Sequence, residues 1–224
     1  LVSLTKQISD VIALPSTVIS HGIDLQRFHP PEDRDAAWAR LQQGGRYGIG
    51  VIGRIRKEKG QGDFIEALRP LLPRRPDWQA VLVGLAKGPD LAWVNGLRQG
   101  IEDRVLLAGE QSTIEPWYQG LSILVHPSYA EGYSLVHVEA MASGCCVVAS
   151  KLPYLDTLIE HGRTGFFFEP GDVKGLRDLL DELTREPERA RQVGRNAQEE
   201  ARSRCGVEHE VRALRDLYHS LVKR

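Results

Sequence analysis

The chain has 224 residues, of which 42% are hydrophobic and 26% are charged, the proportions of a globular domain large enough to bury a core. Lys and Arg total 29 against 30 Asp and Glu, so the formal net charge of -1 gives no electrostatic argument for nucleic acid as the partner. No apolar run approaches the roughly 18 residues of a membrane span, and the three cysteines have neither the number for a disulfide framework nor the spacing of zinc ligands.

The first 46 residues predict a strand over residues 1–4 and helices over residues 5–13 and 35–43. Asp33 and Asp35 form a D-x-D pattern at the start of the second helix. This pattern holds a metal in some enzymes, but capping of the helix accounts for it better, because Asp is a favoured N-cap residue. The sequence therefore predicts no metal site.

A cationic loop, residues 54–60, directly follows the apolar run of residues 48–53, which predicts the first strand of the main domain. The glycines of that run fit G-x-G-x-x-G, but they lie inside the strand instead of opening a helix, so we reject a dinucleotide fingerprint. Ligands of open α/β sheets bind at the carboxyl ends of strands, and the loop is therefore a candidate anion site. A solvated basic turn accounts for the same residues without a ligand.

Helical and strand patterns then alternate along the chain. Helices are predicted over residues 63–72, 90–100 and from residue 112, and strands over residues 79–84, 104–108 and 122–126. This alternation predicts an α/β fold with a doubly wound parallel sheet. Ser112 to Glu115 are typical of a capping box, and Trp117 and Tyr118 are predicted to be core residues rather than a base-stacking surface.

The segment after the strand at residues 122–126 combines a loop with an apolar helix, predicted over residues 135–143. Helical spacing places Glu139 inside the apolar face, where an unpartnered carboxylate would cost several kcal/mol. Either a protein cation or a ligand hydroxyl would satisfy it. The same spacing puts only His137 on a solvent-facing side. Backbone N–H groups of residues 132–135, at the helix start, would form an anion site that Gly132 leaves open.

Glu131 and Glu139, with seven residues between them and AMASGCCVVAS after them, resemble the E-x7-E signature of retaining nucleotide-sugar glycosyltransferases. These enzymes have two facing Rossmann-like domains (the GT-B fold) and include glycogen synthases and bacterial lipopolysaccharide or mannosyl transferases. The resemblance implies that this chain is the Rossmann-like, C-terminal half of such a fold. Ser134 stands where the family often has Gly, and Cys146 where it often has Pro; neither change removes a contact group.

The resemblance also implies roles for individual residues. Arg54 and Lys59 match the arginine and lysine that grip the diphosphate of the donor, and Glu131 holds its sugar, so these three are the expected catalytic residues. The amides of the next four residues hold the distal phosphate, Glu139 binds the ribose hydroxyls, and the base lies near Leu106. The four residues that supply these amides are Gly132, Tyr133, Ser134 and Leu135.

Domain boundaries follow from the same resemblance. The pattern VIxxGID at residues 18–24, with Arg-Phe-His-Pro at residues 27–30, is similar to the crossing between the two domains of the family. We expect residues 1–20 to be the tail of a truncated acceptor domain, residues 21–205 the donor domain, and residues 206–224 a helix that crosses back. With the acceptor domain absent, the apolar face of that helix would be partly exposed or covered by another copy.

The last third of the chain continues the pattern. Strands are predicted over residues 145–149 and 165–168, and helices over residues 154–160 and 172–184. Apolar residues at helical spacing between Ala190 and Cys205, and again between Val207 and Leu221, predict two more amphipathic helices.

The implied function is retaining transfer of a sugar from a UDP-, GDP- or ADP-linked donor, without metal or cofactor, by front-face attack. The implied acceptor is a glycan or glycolipid, with lipopolysaccharide core as one example, and the location is the cytoplasm or the inner face of its membrane. Two alternatives stay open: a nucleotide-sugar binding module that is inactive as a fragment, and a nucleotide-sugar epimerase. Glu131 and Glu139 would lie roughly 12 Å apart along a helix axis, too far for the carboxylate pair of a glycoside hydrolase.

Overall fold

The computed structural model describes residues 2–3, 10, 16–153 and 155–222. Two strands form a small parallel pair near the amino terminus, and six form the central parallel sheet. The pair consists of β1 Val2–Ser3 and β2 Thr17–Val18. The central strands are β3 Tyr47–Ile52, β4 Trp78–Val83, β5 Val105–Gly109, β6 Leu121–His126, β7 Cys146–Ser150 and β8 Phe166–Phe168.

The helices of the described residues lie on both faces of this sheet, and the last of them forms the carboxyl-terminal part of the described chain. They are α1 Arg34–Arg40, α2 Gln61–Leu68, α3 Pro89–Arg98, α4 Glu115–Gly120, α5 Leu135–Ala142, α6 Val173–Arg185, α7 Pro187–Arg204 and α8 Val207–Val222. Short 3-10 helices lie at Lys57–Lys59, Leu72–Arg74 and Leu155–Thr157.

The strand order is β5-β4-β3-β6-β7-β8, so the chain winds outward from β3 in one direction and then from β6 in the other. Two buried clusters, one on each face, fill the space between sheet and helices. This order confirms the predicted doubly wound parallel sheet. It also sends the chain to opposite faces of the sheet after β3 and β6, since α2 packs in one cluster and α5 in the other. A crevice therefore opens at the carboxyl ends of these two strands.

The glycines of β3 serve packing. A Cβ atom on Gly48 would lie 2.5 Å from the indole ring of Trp38 in α1, and one on Gly50 would lie 2.9 Å from a methyl group of Leu121 in β6. Both distances are shorter than van der Waals contact allows, so only glycine fits. The rejected G-x-G-x-x-G match is therefore explained by the close approach of α1 and β6 to this strand.

Several boundaries differ from the prediction. The predicted helix over residues 63–72 divides into α2 and the 3-10 helix at Leu72–Arg74, and the one over residues 154–160 reduces to the 3-10 helix at Leu155–Thr157. Of the predicted helix over residues 5–13, only residue 10 is described, and it is helical; the rest lies outside the described residues. Capping by Asp33 is confirmed, since its carboxylate accepts a 3.1 Å hydrogen bond from the amide of Ala36.

The predicted capping box at Ser112 is wrong. Helix α4 begins at Glu115, and its N-cap, Ile114, makes no side-chain capping bond. Pro116 lies in the first turn, where its fixed φ and missing N–H suit the start of a helix rather than its second turn. Glu115 instead accepts a hydrogen bond from the amide of Ile114 and forms an ion pair with Arg27.

The last helix, α8, buries none of its residues in the described chain. Val211, Tyr218 and Leu221 are 58%, 62% and 56% exposed, which confirms that an apolar stripe of this helix is uncovered here. Its start is fixed to the rest of the fold, because Glu210 accepts a hydrogen bond from the amide of Gly22 and contacts the ring of His21.

The backbone of the loop after β3 packs tightly against the end of β6 at Gly60. This residue has φ +70°, and an added Cβ would lie 2.0 Å from the carbonyl oxygen of Pro127. Gly100 also has a positive φ, +81°, but an added Cβ there meets nothing within 4 Å. The two glycines therefore share a backbone requirement and differ in their surroundings.

We expect Gly60→Ala to destabilise the protein by about 3 kcal/mol and Gly100→Ala by about 1 kcal/mol, since only the first adds a backbone clash to the strain of a positive φ. Urea unfolding followed by circular dichroism measures both. Equal losses in the two variants would contradict the close packing of the two loops.

Candidate functional site

The loops that follow β3 and β6 face each other across the crevice, as the sequence predicts. A cavity of about 190 Å³ lies between them. Its polar lining consists of Arg54, Lys59, Gln61, His126, Ser128, Glu131 and Ser134. Two cations, a carboxylate and the start of α5 therefore share one small space, which suits an anionic ligand that also carries hydroxyl groups.

The carboxylate of Glu131 is the centre of the polar contacts in this cavity. Its Oε1 atom lies 2.5 Å from Nζ of Lys59, 2.9 Å from Oγ of Ser128 and 3.3 Å from Nε2 of His126. Burial alone would raise the pKa of Glu131, but hydrogen bonds from His126, Lys59 and Ser128 outweigh it and lower the pKa to about 2. The group is therefore a carboxylate at neutral pH, although its side chain is only 12% exposed.

The start of α5 is open toward the cavity. Ser134 is the N-cap residue and has an extended backbone, but its side chain makes no capping bond within the described chain. Its Oγ lies 3.4 Å from Nε2 of His126 instead. A Cβ atom on Gly132 would meet nothing within 4 Å. A ligand can therefore approach this loop, and the side chain of Ser134 does not compete with it for the first amides of the helix.

Arg54 and Lys59 lie differently in the crevice. Arg54 is exposed and lines both the small cavity and a neighbouring one of about 440 Å³. Lys59 is 32% exposed and is paired with Glu131. The sequence predicts that both cations bind a diphosphate, and the structure shows that one of them, Lys59, also neutralises a carboxylate of the site.

Glu139 has a phenol as its hydrogen-bond partner in the protein, where the sequence suggested a protein cation or a ligand hydroxyl; the ligand hydroxyl stays a prediction. The hydroxyl of Tyr118 donates a 2.7 Å hydrogen bond to Oε2 of Glu139. Burial raises the pKa of Glu139, and the hydrogen bond from Tyr118 and the positive charge of Arg27 offset only part of this. Tyr118 itself is a core residue, as predicted, with no exposed surface.

The predicted solvent exposure of His137 is wrong, because its side chain is completely buried. Helix α5 packs against α7, and the ring of His137 lies against His126 of β6, with 4.1 Å between ring centroids. Burial, followed by the proximity of His126, lowers the pKa of His137 well below its ordinary value, so this ring is neutral at pH 7.

The sequence analysis missed several residues of the crevice. His126 and Ser128 contact Glu131, and the 440 Å³ cavity is lined by Gly84, Glu110 and Gln111 among others. Leu106, the predicted neighbour of a base, is half-buried in β5 and does not line that cavity. A polar residue directly after each strand, as at Glu110, is the pattern that could have identified this part of the site.

The residues that the structure describes contain no group of three or more His, Cys, Asp or Glu side chains arranged to hold a metal ion, and metal independence stays a prediction. None of their helices combines the length and apolarity that a membrane crossing requires.

The family model described as "Glycosyl transferases group 1" matches residues 34–200. The lipopolysaccharide core biosynthesis mannosyltransferase LpsB of Rhizobium meliloti is 35% identical over 218 residues, which cover 94% of this chain and 62% of that protein. The corresponding LpcC of Rhizobium leguminosarum bv. viciae is 36% identical over 216 residues, with coverage of 94% and 61%. The chain thus spans less than two thirds of the length of these relatives.

Solved structures show the same architecture. The C-terminal domain of a glycosyl transferase group 1 family protein (LpcC) from Francisella tularensis superimposes with a TM-score of 0.78 at 34% identity, covering 83% of this chain and 100% of that domain. HepE from Anabaena, in complex with UDP and glucose, superimposes with a TM-score of 0.86 at 27% identity, covering 98% and 62%. These similarities confirm the C-terminal, Rossmann-like half of a GT-B fold.

The opposite pKa shifts of the two glutamates predict opposite effects of amide substitution on stability. Because the pKa of Glu131 is about 2 in the folded state, its contribution is complete above the unfolded value of 4.5 and is lost as pH falls toward 2. Glu131→Gln should therefore destabilise the protein at pH 7 by about 2 kcal/mol, and this difference from wild type should shrink as the pH falls.

The pKa of Glu139 is raised, so its ionised form costs stability once the pH rises past the unfolded value. Glu139→Gln should therefore stabilise the protein at pH 7 and lose this effect in acid, while the bond from Tyr118 is kept. Urea midpoints measured from pH 2 to pH 7 test both variants. If both substitutions moved the urea midpoint at pH 7 in the same direction, the environments described for Glu131 and Glu139 would be contradicted.

Proposed function

The chain belongs to the glycosyl transferases group 1 family, and from that membership we propose that it is the donor-binding half of a retaining glycosyltransferase that uses a nucleoside-diphosphate sugar. The observation that carries the proposal is the meeting of Lys59 with Glu131 beside Arg54 at the start of α5. This arrangement offers positive charge to a diphosphate and a carboxylate to sugar hydroxyls in the same crevice.

Arg54, Lys59 and the amides of residues 132–135 would bind the two phosphates. Arg54 is exposed at the junction of the two cavities and can reach a ligand that spans both. Glu131 would accept hydrogen bonds from the transferred sugar, and Glu139 from the ribose. UDP, GDP and ADP are the candidate nucleotides, and no metal is required, since the cations of the protein neutralise the phosphates.

The reaction would break the bond between the anomeric carbon and the phosphate oxygen. The acceptor hydroxyl attacks from the same face, its proton passes to an oxygen of the departing diphosphate, and the configuration is retained. Arg54, Lys59 and the amides at the helix start would stabilise the developing negative charge, and Arg54 and the helix start at Ser134 already line the cavity before the reaction. Lys59 would exchange its contact with Glu131 for one with the leaving group.

The acceptor would bind between this domain and a second one. The names of the two Rhizobium relatives mention lipopolysaccharide core, and we propose this core, or another glycan of the cell envelope, as the acceptor. Residues 1–20 would be the tail of that second domain and residues 206–224 a helix that crosses back toward it, and the uncovered stripe of α8 is consistent with this. The transfer reaction would take place in the cytoplasm or at the inner face of its membrane.

The diphosphate contacts can be tested on the chain itself. Arg54→Ala and Lys59→Ala should each weaken binding of the best of UDP, GDP and ADP by about tenfold or more, since each removes a charged hydrogen bond. Isothermal titration calorimetry measures the affinities. Lys57→Ala is the matched control, because Lys57 is an exposed cation in the same loop, and its affinity should stay within about twofold. Unchanged affinity in both site variants would refute the assignment.

The reaction is tested with a fusion that joins this chain to the part of the Rhizobium meliloti relative that the chain does not cover. We expect that protein to transfer the sugar with retention, which the anomeric coupling in the NMR spectrum of the product reports, and this chain alone to bind donor without transfer. An inverted product would contradict the proposed mechanism. Conversion of the donor to an epimer in the absence of acceptor would identify an epimerase instead.

A further inference from the structure

His126, the last residue of β6, lies behind the carboxylate of Glu131 and takes no part in the donor contacts above. Its ring is 4% exposed, and Nε2 lies 3.3 Å from Oε1 of Glu131. A carboxylate only accepts hydrogen bonds, so a hydrogen bond in this contact requires the proton on Nε2, which also lies 3.4 Å from Oγ of Ser134. Nδ1 is buried without a hydrogen-bond partner among the residues that the structure describes. The ring therefore makes its polar contacts through Nε2.

The two oxygens of Glu131 have different surroundings. Oε1 is contacted by Lys59, Ser128 and His126. Oε2 makes no hydrogen bond or ion pair with the rest of the described chain. The carboxylate is therefore anchored through one oxygen, and the other is available to a ligand.

The three anchors of Oε1 differ in what a ligand would do to them. A bound diphosphate carries more negative charge than one carboxylate, so it competes with Glu131 for the ammonium group of Lys59. The hydroxyl of Ser128 rotates and can donate elsewhere. The imidazole of His126 is held in place by its burial, since the residue is only 4% exposed. His126 is thus the anchor that donor binding disturbs least.

We propose that His126 is a positioning residue whose Nε2–H holds Oε1 of Glu131, so that Oε2 faces the sugar of the donor; this rests on the function proposed above. The effect reaches the ligand through Glu131 alone. It therefore concerns the sugar and not the diphosphate, which binds to other groups.

Two amide variants separate this role from simple packing. The amide nitrogen of Gln lies roughly where Nε2 of His does, whereas that of Asn lies near Nδ1 and does not reach Glu131. Calorimetry would compare UDP with UDP-glucose, GDP with GDP-mannose and ADP with ADP-glucose, using the pair that binds best. His126→Asn should weaken binding of the nucleotide sugar about tenfold relative to binding of the bare nucleoside diphosphate. His126→Gln should keep the ratio of these two affinities within about threefold of the wild-type ratio.

His137→Leu is the control for packing, because it removes the neighbouring buried ring and leaves every contact of Glu131 in place. It should leave the ratio unchanged. Equal losses in all three variants, or an unchanged ratio in His126→Asn, would overturn the inference while leaving the proposed function intact. Failure of the wild-type chain to bind any of the six ligands would overturn the proposed function and the inference with it.

A measurement on the unsubstituted chain completes the test. Long-range ¹H–¹⁵N spectra of the imidazoles report which ring nitrogen carries the proton. We expect a proton on Nε2 of His126 at neutral pH. A neutral ring protonated only at Nδ1 would overturn the inference, since it could not donate to Glu131.

Discussion

The candidate site depends on keeping one carboxylate ionised where water hardly reaches it. Glu131 is 12% exposed, and an isolated charge at that depth would be costly. Three groups remove this cost, namely Lys59 and Ser128 from the two facing loops and His126 from the end of β6, and Lys59 supplies the compensating charge. The positions of both loops are thereby coupled, because neither can shift without leaving a charge unpaired. Electrostatic pairing here fixes geometry more than it adds stability.

The sheet makes that pairing possible. The reversal of strand order between β3 and β6 brings the loops 54–60 and 127–134 to one crevice, although more than sixty residues separate them in the chain. The close contacts of Gly50 with Leu121 and of Gly60 with Pro127 then set the distance between β3 with its loop and β6 with its loop. Gly48 lets α1 pack closely on the same strand. The glycines that permit close packing and the charged residues at the strand ends therefore both determine the shape of the crevice.

The sequence was sufficient for the alternation of strands and helices, the parallel sheet, and the shared crevice of Arg54, Lys59 and Glu131, because hydrophobic period and the strand-end rule are local signals. It failed for His137, since a helical projection assumes a solvent side, and α5 is covered on that flank as well. Contacts between distant side chains, such as Tyr118 with Glu139, carry no signature in the spacing of either residue. The individual roles implied by family resemblance stay predictions.

One link in the fold joins the loop of Glu131 to the end of the chain. The hydroxyl of Tyr133 donates a 3.0 Å hydrogen bond to the carbonyl oxygen of His21, and Glu210 of α8 holds His21 and Gly22 from the other side. If α8 tilts, either these hydrogen bonds must lengthen or the loop of Glu131 must move with the helix. The orientation of the terminal helix and the shape of the crevice are consequently not independent degrees of freedom.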